Sequence, residues 1–341
     1  MRKNLFVTFF PVLAAGLLVL SGPAAARAAA DDDVHNFILG HPTSEYVSNH
    51  IEAVKIKELL EEKSGGRITF EIYPNSQLGK TREMVEGIIS GNIDCGTIVS
   101  PLYTEFVPEN AVVDMYNLFS SLDDNRAALS GAVLEKLQEK FAVKNMKLFG
   151  FADSGWCYLT ANKPIHTLDD LAGFKIRTME NNIILAYWKA LGANPTPMDY
   201  SEIYIGLQQR TIDGQENPFD VLYFERYYEV QKYAINVRHR TSQIPFVMNL
   251  ERYNALPADI RALLDEYVPQ ALANSRATLD ANNDKYKKEL EGLGVTFIDV
   301  SDEVLAEIHK RASSSHDLIR KIAGDEMTDL MLSEYERLKN K

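Results

Sequence analysis

Two cations alternate with apolar residues in Gly173-Phe174-Lys175-Ile176-Arg177-Thr178. On a strand, successive side chains point to opposite faces, so Lys175 and Arg177 share one face and Phe174 and Ile176 the other. With the apolar side on a core, Arg177 faces either solvent or a cleft. A guanidinium in a cleft is a carboxylate receptor, because its planar fork donates two parallel hydrogen bonds. A second stretch, Asp213-Gly214-Gln215-Glu216-Asn217-Pro218, sets polar residues between a helix end and the aromatic run Phe219, Tyr223 and Phe224. Asn217 precedes a proline, which biases its backbone towards an extended conformation.

Signatures of catalysis are absent: there is no G-x-S-x-G, H-E-x-x-H, G-x-G-x-x-G or EF-hand loop. Gly79-Lys80-Thr81 matches the end of a phosphate-binding loop, but Pro74 stands where that loop needs its first glycine. The seven histidines are scattered without ligand spacing, so neither a metal nor another cofactor is expected. Glu180, Glu216, His239 and Cys157 are the types that an enzyme acting on an acid would recruit as acid, base or nucleophile. No motif pairs a base with a nucleophile, so a catalyst is not expected. Cys95 and Cys157 form no C-x-x-C, and nothing in their spacing demands a disulfide.

The elements that must position these residues alternate between strand and helix, the pattern of an α/β protein. Strands are expected at 34–39, 67–73 and 93–99, with helices at 44–63 and from Thr81, the latter capped by that residue. A second run starts near 155, with strands at 156–160 and 174–178, a capped turn at 167–172, and helices at 182–191 and 201–209. Segments 235–240 and 244–250 read as consecutive strands able to cross between two domains. Residues 257–290 read as one long helix in which Pro269 predicts a kink or a break. A strand at 295–300 and charged amphipathic helices over 301–341 end the chain.

With 341 residues, 25% charged and 45% hydrophobic, the chain is long enough for two domains with cores of their own. The 48 acidic residues outnumber the 36 basic ones and there is no Lys/Arg-rich block, which excludes a phosphate-neutralising nucleic-acid binder. Arg2 and Lys3, an apolar run over 5–20 and small residues over 24–30 read as a secretory signal peptide cleaved after Ala30. Cleavage removes the positive charges of Arg2, Lys3 and Arg27 from a chain of net charge -12, leaving a more acidic exported product.

Six short stretches, in order, give the chain its strongest likeness. They are Ser64-Gly65-Gly66-Arg67-Ile68, Tyr73-Pro74-Asn75-Ser76-Gln77-Leu78-Gly79, Asn162-Lys163-Pro164-Ile165, Gly173-Phe174-Lys175-Ile176-Arg177, Pro195-Thr196-Pro197-Met198 and Asp213-Gly214-Gln215-Glu216-Asn217-Pro218. Together they resemble the solute-binding subunit of the tripartite ATP-independent periplasmic (TRAP) transporters, the DctP family. Segment 199–232 is similar to its sialic-acid-binding branch.

That resemblance implies a two-lobed α/β periplasmic binding protein fold with mixed sheets, hinge strands and a long domain-spanning helix. Residues 31–154 plus 243–282 form the first lobe and 155–242 plus 283–341 the second. It implies that Arg177 holds a ligand carboxylate, that Asn217 donates to the same group, and that His41, Ser100, Trp156, Cys157, Glu180, Asn181, Tyr200, Phe219 and His239 fall at or near the cleft. Many relatives carry a second arginine where this chain has Cys157, and the neutral thiol argues against a dicarboxylate. Val99 stands where sialic-acid binders carry an acid. The expectation is a periplasmic protein that captures an organic acid, favouring a monocarboxylate such as a sugar acid or aromatic acid, and delivers it to integral membrane permease subunits without ATP or catalysis. The alternatives are a periplasmic sensor subunit and, further off, an enzyme acting on an acid.

Overall fold

The computed structural model describes residues 34–340, so the expected signal peptide lies outside the described residues. Its largest sheet has five strands in the order β2 (Ile68–Tyr73), β1 (His35–Gly40), β3 (Cys95–Thr97), β10 (Thr241–Asn249) and β4 (Met146–Trp156). The first three are parallel, and β10 runs antiparallel to both β3 and β4. A second sheet orders β11 (Thr296–Asp299), β9 (Tyr233–Asn236), β5 (Tyr158–Ala161) and β8 (Glu216–Asn217), and a parallel pair joins β6 (Lys175–Thr178) to β7 (Asn194–Pro197). The chain therefore passes from β9 in one sheet to β10 in the other through Val237, Arg238, His239 and Arg240, where the sequence places a crossing.

Helices cover these sheets: α1 (Ser48–Ser64), α2 (Thr81–Ser90), α3 (Leu122–Ala128), α4 (Gly131–Val143), α5 (Asn182–Ala190) and α6 (Ile203–Gln208). They continue with α7 (Phe219–Phe224), α8 (Leu250–Asn254), α9 (Ala258–Gly292), α10 (Asp302–Ala323) and α11 (Asp325–Lys339). Helix α1 buries Ala53, Ile56 and Leu60, spaced three and four apart, in one core with Phe37 and Phe70 of the first sheet and Ile260, Leu264 and Val268 of α9. Farther along, α9 buries Tyr286 and Leu290 among Phe219, Leu222 and Ile203. The 35-residue α9 thus joins both cores, and it runs through Pro269 without a break. Pro269 and Asp265 are exposed, so the carbonyl freed by the missing N–H lies towards water. Helix α10 packs on α5 and on Pro108–Asp114, and α11 on α3 and α4, so the C-terminal pair touches elements expected in both lobes.

Two expectations shift, and one strand went unread. Helix α1 starts at Ser48, not residue 44: Val47 is extended at the N-cap, and the Ser44 N–H donates across to Glu225 (2.9 Å). Thr81 does not cap α2: it is the first helical residue, Lys80 is the N-cap, and the Thr81 hydroxyl donates to Asp199 (3.0 Å). Strand β4, eleven residues long, received no expectation beyond its last residue. It is buried along nearly its whole length, so the alternation that marks a half-exposed strand is missing.

Candidate functional site

A cavity of about 150 Å³ opens between the two sheets. Pro42, Thr43, Asn49 and Val99 line it from the side of the first sheet, and Arg177, Met198, Tyr200 and Asn217 from the other. Strand β6 carries Arg177, whose backbone N–H donates to the Gly214 carbonyl (2.8 Å) and whose Nε donates to the Met198 carbonyl (2.9 Å). Lys175, two residues earlier, is exposed while Arg177 is 3% exposed, so of the two cations only Arg177 is buried. Its terminal nitrogens make no hydrogen bond among the described residues, and no carboxylate lies within salt-bridge distance of it there. Burial lowers its pKa, the sign of a cation stripped of water. Asn217 on β8 is nearly buried and donates to the Gln215 side chain. The Tyr200 hydroxyl is buried without a hydrogen-bond partner among the described residues, and Glu180 stands exposed at the rim.

The other expected residues are close by but not on this wall. Asn181 caps α5 with its carbonyl and donates its amide to the Pro101 carbonyl (2.9 Å), so both ends are spent. Ser100 accepts from Asn110 (3.0 Å), and Phe219 is packed between Tyr158 and Phe297, with ring centroids 4.3 and 5.3 Å away. Trp156 and His239 line a separate small void beside Asp114. Cys157 is fully buried and is not among the residues that line the cavity, and burial raises its thiol above the ordinary range. Cys95 and Cys157 are both free and buried.

His41 bonds Thr43 (3.1 Å) and His50 (3.0 Å), and burial, with His50 beside it, lowers its pKa to about 3. The folded protein therefore keeps His41 neutral where the unfolded chain protonates it near pH 6.5. Stability falls as pH drops from 6.5 towards 3, at up to about 1.4 kcal/mol per pH unit. Urea unfolding at pH 7 and pH 5 is expected to show this loss, and His41→Asn to reduce it. An unchanged pH dependence in that variant refutes the assignment.

The residue that the sequence reading missed is Arg240. It lines the cavity at 5% exposure, with Nε 3.1 and 3.2 Å from the two Glu216 oxygens. Burial would raise the Glu216 carboxyl, but Arg240 and His239 outweigh it and hold the pKa down to about 2. The signal was present in Arg238-His239-Arg240, a basic run where β9 gives way to β10. It also removes the basis for arguing from Cys157 against a second acid group, since a second guanidinium reaches the cavity from another position.

Carboxylates from the Arg177 side hold helix ends on the opposite side. Helix α1 has Val47 and α2 has Lys80 at the N-cap, and neither side chain caps its helix. Asp220, fully buried, accepts instead from the Ser48 N–H (2.9 Å) and hydroxyl (2.5 Å), and Asp199 accepts from the Thr81 N–H (3.2 Å) and hydroxyl. Lys80 also pairs with Glu202 at 2.8 Å. Among the described residues no cluster of three or more His, Cys, Asp or Glu is placed to hold a metal, and no helix is long and apolar enough to cross a membrane.

The family model described as bacterial extracellular solute-binding protein, family 7 (DctP), matches residues 39–321. The chain is 30% identical over 276 residues to the 2,3-diketo-L-gulonate-binding periplasmic protein of Escherichia coli, covering 81% of this chain and 82% of the relative. It is 28% identical over 279 residues to the C4-dicarboxylate-binding periplasmic protein of Rhodobacter capsulatus, covering 80% and 83%. The crystal structure of the sugar acid binding protein of Advenella mimigardefordensis, in complex with galactonate, superposes with a TM-score of 0.86 at 23% identity, covering 90% of this chain and 99% of that one.

Proposed function

Since the chain belongs to the DctP family of bacterial extracellular solute-binding proteins, we propose that it captures an organic acid in the cavity at Arg177 and hands it to TRAP permease subunits in the membrane. The favoured ligand is a monocarboxylate with a hydroxylated body, such as a sugar acid. One observation carries this reading: the Arg177 guanidinium is buried on the cavity wall, and among the described residues its terminal nitrogens bond nothing and no carboxylate lies within salt-bridge distance of it. A buried charge without a partner is costly, and an incoming carboxylate supplies both the charge and two hydrogen bonds. Relatives that bind 2,3-diketo-L-gulonate and galactonate support the sugar-acid class. The lobes, 31–154 with 243–282 and 155–242 with 283–341, close over the ligand, and the closed surface is what the permease recognises. The action takes place outside the cytoplasm.

A thermal-shift screen of the chain from residue 31 against aldonates, uronates, aromatic acids and dicarboxylates tests the reading. A ligand at about 100 times its dissociation constant adds about 2.7 kcal/mol of stability, a rise of a few degrees in a chain of this size. Response to an aldonate or uronate supports the proposal. Response to a C4 dicarboxylate alone replaces the ligand class, and response to no acid removes the carboxylate site.

A further inference from the structure

Two buried arginines share the cavity, and their surroundings differ in one respect. Among the described residues the Arg177 side chain donates only to a neutral carbonyl and has no carboxylate in direct contact. Arg240 gives Nε to both oxygens of Glu216, whose own burial keeps it from water, and Nη1 to the Thr241 carbonyl (3.3 Å). That leaves Nη2 of Arg240 without an acceptor among the described residues. On its far side Arg240 borders the void that holds the buried Asp114 carboxyl, a further acid.

We propose that Arg240 recognises a neutral oxygen of the ligand, a hydroxyl or keto group, and so selects hydroxylated or keto monocarboxylic acids over dicarboxylic ones; this rests on the reading of Arg177 as the carboxylate receptor. A guanidinium whose charge is already matched keeps its hydrogen-bonding directions but exerts little net pull on a second anion. The walls reinforce the choice. Glu83, Glu105, Glu180 and Asp199 line the same cavity, while the remaining cations there are engaged, Lys80 with Glu202 and Arg82 with Glu86 and Glu105. A second carboxylate would meet Glu83, Glu180 and Asp199, none of them in an ion pair among the described residues, and a neutralised arginine. A hydroxyl meets a donor whose other partners are fixed, and a ligand lacking that oxygen leaves the donor unpaired in a buried site, where discrimination is strong.

Calorimetric titration with three six-carbon acids tests this: gluconate, hexanoate, which lacks the hydroxyls, and adipate, which carries a second carboxylate. Wild type is expected to bind gluconate most tightly. Arg240→Met lowers gluconate affinity about tenfold or more, equivalent to about 1.4 kcal/mol, and leaves the weak hexanoate affinity within about twofold of wild type. Removing Arg240 strands Glu216 in the interior, so the double variant Arg240→Met/Glu216→Gln, neutral throughout, is measured beside it and loses the same gluconate affinity while melting cooperatively. Glu216→Gln alone, which unmatches the charge of Arg240, shifts the gluconate to adipate ratio towards adipate. Wild-type gluconate affinity in both Arg240 variants, equal losses for gluconate and hexanoate, or an unchanged adipate ratio in Glu216→Gln overturns the proposal. Wild type that binds no gluconate but binds adipate overturns it too. An Arg177→Ala variant that binds gluconate as wild type does shows instead that the underlying reading of Arg177 has failed.

Discussion

Replacing Arg177 with alanine is expected to weaken binding of the acid about 100-fold or more while leaving the empty protein as stable as before, or more so. Each charge-assisted hydrogen bond contributes about 1.5 to 3 kcal/mol, and a bidentate contact makes two. Against this, the empty protein holds a buried cation with one hydrogen bond to the Met198 carbonyl and no carboxylate partner among the described residues, so removing it relieves a desolvation cost. Loss of binding combined with retained melting temperature is a signature that a merely structural arginine would not give. Arg177→Lys, which keeps the charge and loses the planar fork, falls between the two. Titration of wild type and both variants with the best acid from the screen decides the matter, and alanine binding within about threefold of wild type sinks the assignment. Arg177 does not act alone, since micromolar affinity requires about 8 kcal/mol, and Asn217, Tyr200 and Arg240 are the residues placed to add the remainder.

Asp220→Asn is expected to speed ligand release about tenfold, with a smaller effect on association. The carboxylate sits at the N-terminus of α1, on the Ser48 N–H and hydroxyl, while the local N-cap is Val47, one of the poorest capping residues. A negative charge at a helix N-terminus is favourable, and this one comes from the opposite side of the cavity, so it acts only when that side is in place. An asparagine keeps the shape and one acceptor but loses the charge, at a cost of about 1 to 2 kcal/mol to the closed form. Stopped-flow displacement separates the rates. If release is unchanged while the empty protein melts several degrees lower, Asp220 serves the architecture and not the closed state.

Much of the fold was legible because its elements carry local signals. Strand β6 emerges from alternation of apolar and basic residues, α5 was read close to its observed bounds, and α9 emerges from an apolar stripe that Pro269 leaves intact because the freed carbonyl faces water. Strand β4 was illegible because a strand buried on both faces has no alternation to read. Of the candidate site, Arg177, Asn217, Tyr200 and Glu180 line the cavity between the sheets. His41, Asn181 and Phe219 come near and are spent on neighbours, which no spacing rule reveals, since it depends on which partner each side chain meets. Arg240 escaped because it belongs to a crossing segment, and only the three-dimensional path brings 240 beside 216 and 177. The N-caps Val47 and Lys80 were missed, since the sequence reading began α1 at residue 44 and capped α2 with Thr81, and the acceptors Asp220 and Asp199 that serve those helix ends lie 172 and 118 positions away.

The two buried thiols give the molecule its own pair of clocks. Cys95 lies in the core of the five-stranded sheet, and Cys157 lies where β4 passes to β5, its N–H on the Arg240 carbonyl (3.1 Å). Neither meets water, and burial raises both thiols well above their ordinary range, so alkylating reagents reach them only when the surrounding structure opens. The rate at which each cysteine is modified therefore times the opening of its own region, with no engineered label. A ligand that tightens the cavity slows the Cys157 clock more than the Cys95 clock, and comparing the two rates tells breathing around the crossing segment apart from unfolding of the whole chain.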